Sequence, residues 1–286
     1  MPDIIYLNGR FVSPEEAVVS VYDRGFLFGD AVYEVLRSCD GRLWALARHL
    51  LRLQSSLQGV DMAHVDVGEI RAIIEQAHRQ SEYPNATVYL QITRGVQPRQ
   101  HAYTRDLVPT VLVTVRDITP KLASINLEGE AAITSPDLRW RRCDIKSTNL
   151  LPNILAHTQA IARGAHEAIL VDQDGCVTEA ASMTPFFVEG GRLFTTPLGP
   201  DILPGITRQF VVEIAHDEGL PLREERLPLD RWRRADEMFL ASTSHEVCPL
   251  VTLDGQPVGE GKPGPITRRL MAAFRARVLA GDDAPR

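Results

Sequence analysis

Tight turn signals between short β-rich runs constrain this chain more than any other feature. Asn8-Gly9 separates residues 4–7 from 10–12, and Asp40-Gly41 stands between the run at 31–38 and a short one at 42–45. Asn-Gly and Asp-Gly supply the left-handed backbone that two-residue hairpin turns need. Asp172–Gly175 joins 167–171 to 176–180, Gly190-Gly191 joins 184–188 to 192–195, and 251–253 with 256–258 predicts a last hairpin. Hairpins make antiparallel neighbours. Further strands are predicted at 86–94, 109–116, 131–134 and 237–241. In the strand from Ala31, alternation puts Tyr33 on one face and Val32 and Glu34 on the other.

Helical periods fall in separate blocks. Leu46, Leu50, Leu53 and Leu57 stripe a helix over 46–59, with Arg52 beside the stripe and able to reach inward. Asp66 and Glu69 resemble a capping box before Ile70, Ile73, Ile74 and Ala77. Pro152 is tolerated only in a first turn, so a helix starts near Leu150 and runs to Arg163, ended by Gly164. Pro204-Gly205 precedes a helix to about Glu218, and a closing helix over 266–279 turns Leu270, Phe274 and Val278 inward. The pattern predicts an α+β protein of two domains, mostly antiparallel sheets with flanking helices, and not a doubly wound sheet. A smaller α/β N-terminal domain spans 1–117, a linker marked by Pro120 spans 118–123, and a larger C-terminal domain spans 124–286. Residues 281–286 read as a frayed tail.

Composition narrows the function. The 286 residues are 44% apolar and 24% charged, with a formal net charge of -6. No long basic run offers a nucleic-acid face; the arginines of 139–142 are few and interrupted by Trp140. No run reaches membrane-span length, and the N-terminus lacks a signal-peptide pattern. Four scattered cysteines without CxxC read as reduced thiols in a cytoplasmic protein. The eight histidines show no HExxH spacing and no close cluster, so no metal site is expected. Neither GxGxxG nor a Walker loop occurs.

The stretch RWRRCDIKSTNLLPNIL, residues 139–155, sets Lys146 between apolar Ile145 and the polar Ser147, Thr148 and Asn149. Burial disfavours an ammonium ion, which suits an amine that must bond a carbonyl. A lone lysine at a helix start is also an ordinary half-exposed one, so its partners decide. Pyridoxal phosphate needs such a lysine, a carboxylate facing its ring nitrogen, and a cup for its phosphate. Glu179 lies on a strand otherwise small or apolar, and would keep the ring nitrogen protonated; its alternative is an edge carboxylate facing water. At Leu203-Pro204-Gly205-Ile206-Thr207, the free N–H groups of Ile206 and Thr207 with the Thr207 hydroxyl form a natural phosphate site. Arg52 is placed to add a charge-assisted clamp, and Thr243 a hydroxyl. Arg99 and His101, in a polar loop, suit a substrate carboxylate, helped by the Tyr33 hydroxyl; otherwise they are solvated loop residues.

The chain resembles the D-amino-acid transaminases, of the fold type IV class of pyridoxal-phosphate enzymes. The resemblance rests on DRGFLFGDAVYEV at 23–35, RCDIKSTNLL at 142–151, EAILVDQDGCVTEA at 167–180, LPGITR at 203–208 and FLASTSHEVCPL at 239–250, in this order. It implies that Lys146 is the Schiff-base lysine and Glu179 the ring-nitrogen partner. Arg52, Ile206, Thr207 and Thr243 would hold the phosphate, with Ser182 and Leu203 near the cofactor. It further implies a homodimer with the active site between its two domains, and a carboxylate trap at Arg99-Gln100-His101 that comes from the partner subunit. Branched-chain L-transaminases of the same fold lack this triplet. Ala180, Ala181, Ser182, Met183 and Thr184 stand where the family carries a glycine and serines ending in asparagine, and Ala31 replaces a glycine. These departures trim polar contacts near the substrate.

The implied reaction is a ping-pong exchange of an amino group from a D-amino acid to a 2-oxo acid such as 2-oxoglutarate, with Lys146 as the general base. The rivals are a branched-chain L-amino-acid transaminase or an aminodeoxychorismate lyase on the same fold, and a binding protein that kept the scaffold.

Overall fold

The computed structural model describes residues 3–119 and 127–284. The chain forms two compact units: Met1–Ser124 with Ile145–Asn149 and Gly281–Arg286, and Ile125–Asp144 with Leu150–Ala280. Residues 120–123 of the expected linker, Pro120 included, lie outside the described residues.

The N-terminal unit is built on a six-stranded antiparallel sheet. Its strands are β1 (Ile4–Leu7), β2 (Arg10–Val12), β3 (Ala31–Cys39), β4 (Arg42–Leu43), β5 (Ala86–Thr93) and β6 (Thr110–Asp117), in the order β2-β1-β6-β5-β3-β4. The Asn8-Gly9 turn joins β1 to β2 with Asn8 in the left-handed region, as its hairpin requires. A short helix, α1 (Arg24–Phe28), precedes β3, and α2 (Leu46–Gly59) and α3 (Val67–Ser81) supply the long apolar faces. Leu46, Leu50, Leu53 and Leu57 of α2 and Ile70, Ile74 and Ala77 of α3 join Val32, Leu36, Val88, Leu90 and Ile92 in one core. Ile145, far along the chain, enters the same core.

Asp66 caps α3 by accepting from the N–H groups of Gly68 and Glu69, but Glu69 makes no return bond, so half of the expected box forms. The tail is tied down as far as Ala284. Ala45, which precedes α2 in a left-handed conformation, donates its N–H to Asp283 Oδ2 at 2.8 Å. Arg48 donates to the carbonyls of Asp283 and Ala284. A helix start without a side-chain cap of its own thus takes one from the last described residues.

The C-terminal unit holds a nine-stranded sheet: β7 (Glu130–Pro136), β8 (Glu167–Val171), β9 (Val177–Ala180), β10 (Thr184–Glu189), β11 (Arg192–Thr195), β12 (Leu222–Glu224), β13 (Glu237–Ser242), β14 (Glu246–Leu253) and β15 (Gln256–Pro257). The order is β12-β11-β10-β13-β14-β7-β8-β9, with β15 beside β14. Most pairs are antiparallel, but β11/β12, β14/β7 and β7/β8 are parallel. Parallel neighbours need a long crossover. The one from β7 to β8 contains Lys146 and the helix α4 (Leu151–Ala162), whose Pro152 sits in the first turn. α5 (Ile206–Asp217), the short α6 (Leu229–Trp232) and α7 (Pro265–Ala280) complete the unit. Leu270, Phe274 and Val278 of α7 are buried, as their spacing predicts. No helix among the described residues is long and apolar enough to cross a membrane.

The leucine stripe offers a direct check. Leu53 is fully buried, whereas Leu51 beside it is 55% exposed. Leu53→Ala is expected to lower unfolding free energy by about 2–5 kcal/mol. Leu51→Ala should change it by about 0.5 kcal/mol or less in the same urea titration.

Candidate functional site

In the N-terminal unit Lys146 is fixed by its backbone. Its carbonyl accepts from Tyr33 N–H at 2.9 Å, and Thr148 N–H donates to the Ala31 carbonyl at 3.1 Å. Its own N–H donates to Ser56 Oγ at 3.1 Å. Ser147 bridges Val32, so residues 146–148 lie along β3 like an added edge strand. Asn149 and Thr148 then donate to the Gly29 carbonyl. Gly29 ends α1 in a left-handed conformation, and a Cβ there would meet Asn149 Oδ1 at 2.7 Å. The half-buried Lys146 side chain carries Nζ to 4.2 Å from the Tyr33 ring centre. Nζ has no hydrogen-bond or carboxylate partner among the described residues. Tyr33 and Lys146 are therefore brought together.

Behind β3 lies a buried charge cluster. Glu34 accepts from Arg52 Nε at 2.8 Å and Nη2 at 2.7 Å, and its Oε2 lies 2.7 Å from His49 Nδ1. Burial alone would raise the Glu34 carboxyl, but the Arg52 charge and hydrogen bonds, with His49, hold it well below the usual carboxylate range. Burial pushes His49 below its ordinary value against the pull of Glu34, so a neutral ring with its proton on Nδ1 fits, and Nε2 is buried without a partner. The bidentate pair fixes the plane of Arg52, the expected phosphate clamp.

Arg99 and His101 are exposed and flank the Phe28 ring, 5.5 Å from the Arg99 guanidinium carbon and 5.7 Å from the His101 ring centre. Neither makes a hydrogen bond or ring contact with Tyr33, whose ring neighbour is Tyr89 at 5.9 Å. The expected grouping of Tyr33 with this loop makes no direct contact within the chain.

In the C-terminal unit Glu179 is buried near the end of β9. Arg139 Nη1 donates to its Oε2, as does the Leu203 N–H at 3.1 Å. The same guanidinium is bidentate to Asp137, with Nε–Oδ1 at 2.9 Å and Nη2–Oδ2 at 2.7 Å. One cation thus serves two carboxylates. Asp137 is held low because Arg139 outweighs its burial, while for Glu179 burial wins and the carboxyl is pushed up. Nearby Cys143 is pushed up to about 12 by burial and is no nucleophile.

Leu203 leads to Gly205, which precedes α5 with no side-chain cap. A Cβ on Gly205 would lie 2.9 Å from Thr184 Oγ1. Thr184 pairs with Ala241, two residues before Thr243 in the turn from β13 to β14. Ser242 Oγ, accepting from His245 N–H at 3.1 Å, shapes that turn. Ser182 donates both N–H and Oγ–H to the buried Glu167. Glu179, Leu203, Ile206, Thr207, Ser182 and Thr243 therefore belong to one connected end of this sheet. Sequence reasoning excluded the arginines of 139–142 as a nucleic-acid face but gave Arg139 no role, and it assigned nothing to Glu34, His49 or Glu167. Its one available signal was the spacing of Asp137 and Arg139, which a turn residue pair shares.

The residues fit pyridoxal phosphate. A partnerless amine, a buried carboxylate short of positive charge and an uncapped helix start are what its aldehyde, ring nitrogen and phosphate require.

Comparison with known proteins agrees. The profile of the family Amino-transferase class IV matches residues 31–253. The D-alanine aminotransferase of Staphylococcus haemolyticus is 38% identical over 274 residues, covering 94% of this chain and 96% of that protein. That of Bacillus licheniformis is 37% identical over 278 residues, covering 96% and 97%. Among solved structures, the Escherichia coli branched-chain amino acid aminotransferase superposes with a TM-score of 0.89 at 27% identity, covering 96% of this chain and 94% of that one. The branched-chain aminotransferase of the thermophilic archaeon Thermoproteus uzoniensis, solved with norvaline, gives 0.86 at 28% identity, covering 98% and 96%.

Glu34→Gln removes the carboxylate that Arg52 and His49 share. It is expected to cost about 3–5 kcal/mol near neutral pH. A group whose folded value is depressed stabilises above its unfolded value and loses that contribution as pH falls. The gap between the wild-type and variant denaturation midpoints should therefore close on acidification below the ordinary glutamate range.

Proposed function

The chain belongs to the class IV aminotransferases, which work through pyridoxal 5'-phosphate, and from that premise we propose that it moves the amino group of a D-amino acid to a 2-oxo acid. The carrying observation is the 37–38% identity, across at least 94% of the chain, to proteins named D-alanine aminotransferases. A D-alanine-like donor and 2-oxoglutarate are the substrates this reading assigns. The bound cofactor supplies the electron sink that stabilises the charge left at the substrate Cα.

The chain's own residues do the rest. Lys146 would hold the cofactor through its amine and, once freed, would take the proton from the donor's Cα and, in the second half of the exchange, deliver one to the Cα of the acceptor. Its backbone bonds to β3 limit that proton traffic to one side. Glu179, short of compensating charge, favours a protonated ring nitrogen beside it, with Arg139 keeping the carboxylate oriented. Ile206 and Thr207 N–H, the Thr207 hydroxyl, Thr243 and Arg52 take the phosphate. Ser182 and Leu203 line the cofactor, and Leu203 also holds Glu179 through its N–H. Arg99 and His101 bind the substrate carboxylate, with the Tyr33 hydroxyl assisting, and so select the enantiomer.

The reading includes a homodimer in the cytoplasm. α4 buries only its small residues Ala156 and Ala160, while Leu151, Ile154, Leu155 and Ile161 are each more than half exposed. Large apolar residues outward and small ones inward invert the usual surface helix, which supports a second copy covering that face. A trap exposed on its own chain suits the same arrangement.

The test is a panel of D- and L-amino acids with 2-oxoglutarate. D-alanine, D-glutamate or D-aspartate should be turned over, and Arg99→Ala should lower kcat/KM for each by about tenfold to a hundredfold. Better turnover of L-leucine would give the chain to the branched-chain L-transaminases. In sedimentation, Leu155→Glu is expected to shift mass from dimer toward monomer; an unchanged dimer would place the interface elsewhere.

A further inference from the structure

We propose that Arg24 is a positioning residue for the substrate-carboxylate loop, a role that rests on the reading of Arg99 and His101 above. Arg24 opens α1 and is 4% exposed. Its Nη1 donates to the Gln100 carbonyl at 2.8 Å and its Nη2 to the His101 carbonyl at 3.0 Å. Its Nε donates to Asp30 Oδ2 at 2.7 Å. Three directed bonds thus leave one planar cation. Two reach successive carbonyls, which fixes the peptide planes on both sides of His101. Those planes set where the His101 side chain leaves the backbone and anchor the residue that follows Arg99.

The base of this clip is itself anchored. Asp30 is bidentate to Arg94, at 2.8 and 3.0 Å, and Arg24 N–H donates to the Gly95 carbonyl at 2.9 Å. Asp23 caps α1 through Gly25 N–H at 2.8 Å and accepts the Thr93 and Thr110 hydroxyls at 3.0 and 2.6 Å. The Arg24 guanidinium carbon lies 4.9 Å from the Phe28 ring centre, and Arg99 and His101 rest against that same ring. Gln97 braces the far side of the loop, donating to the Ala102 carbonyl and accepting from Thr104 N–H. Arg24 does not need to touch substrate. It holds the backbone at His101 and at Gln100, next to Arg99, through three satisfied bonds that a lysine cannot reproduce, because one ammonium cannot span two carbonyls and a carboxylate in this plane.

Steady-state kinetics of the cofactor-loaded enzyme test this with Arg24→Gln, Arg24→Lys, Arg99→Ala and the Arg24→Gln/Arg99→Ala double variant. Arg24→Gln is expected to raise KM for the D-amino donor by about tenfold or more, since small misplacements of a binding group are costly. Its kcat should stay within about threefold and the cofactor absorbance should not change. Arg24→Lys should restore little of the lost KM. In the Arg99→Ala background the loss from Arg24→Gln should be clearly smaller than in the wild type, because only His101 is left to position. Full additivity of the two losses overturns the proposal. So does a fall in kcat with KM unchanged, or loss of folding and cofactor absorbance in both the Gln and Lys variants. If the wild type turns over no D-amino acid, or Arg99→Ala is as active as wild type, the functional reading itself fails; if D-amino acids are turned over, Arg99→Ala is impaired and additivity is found, only the role of Arg24 fails.

Discussion

A pair of backbone hydrogen bonds to β3 decides where the Lys146 amine stands. Tyr33 N–H reaches the Lys146 carbonyl and Thr148 N–H reaches the Ala31 carbonyl, while Ile145 sinks into the leucine core. Each such bond contributes about 1 kcal/mol net, and burying the isoleucine about 1.5–3 kcal/mol more. Those few interactions hold residues 145–149 in the N-terminal unit although the chain before and after belongs to the C-terminal one. The side chain, released from this duty, is left with an aromatic face and no counter-ion.

The two buried glutamates show how burial serves opposite ends. Glu34 is paired with both Arg52 and His49, and the pairing overrides the cost of burial, so it stays ionised and organises the interior. Glu179 shares Arg139 with Asp137, and burial prevails. A carboxylate in that state gains from a cation placed beside it. The first is a structural anchor; the second is the residue we propose as the partner of a protonated ring nitrogen. Composition does not separate them, because each is one glutamate on a strand.

Local order was legible where short-range physics decides it. The Asn8-Gly9 hairpin, the α2 leucines, the Asp66 cap and Pro152 in the first turn of α4 all follow from turn chemistry or periodicity. The burial of Arg52 followed from its place beside the stripe. What escaped depends on distant partners. The tail looks polar and loose until Asp283 meets an Ala45 N–H more than two hundred residues away. The parallel β7/β8 pair carries no turn signal, because its connection runs through Lys146 and α4. Short α1 is too brief for a period to show. Arg24 and Arg139 look like any surface arginine, and only the folded carboxylates and carbonyls around them reveal a role. Site residues were legible as types within motifs; the groups that orient them were not.

We propose that the amine of Lys146 holds the cofactor covalently. Reduction of the purified, cofactor-loaded protein with sodium borohydride, followed by peptide mass spectrometry, is the decisive experiment. The expected result is a phosphopyridoxyl adduct on the peptide carrying Lys146, absent from Lys146→Ala. An adduct on another lysine, or protein that remains colourless in excess pyridoxal phosphate, would contradict it.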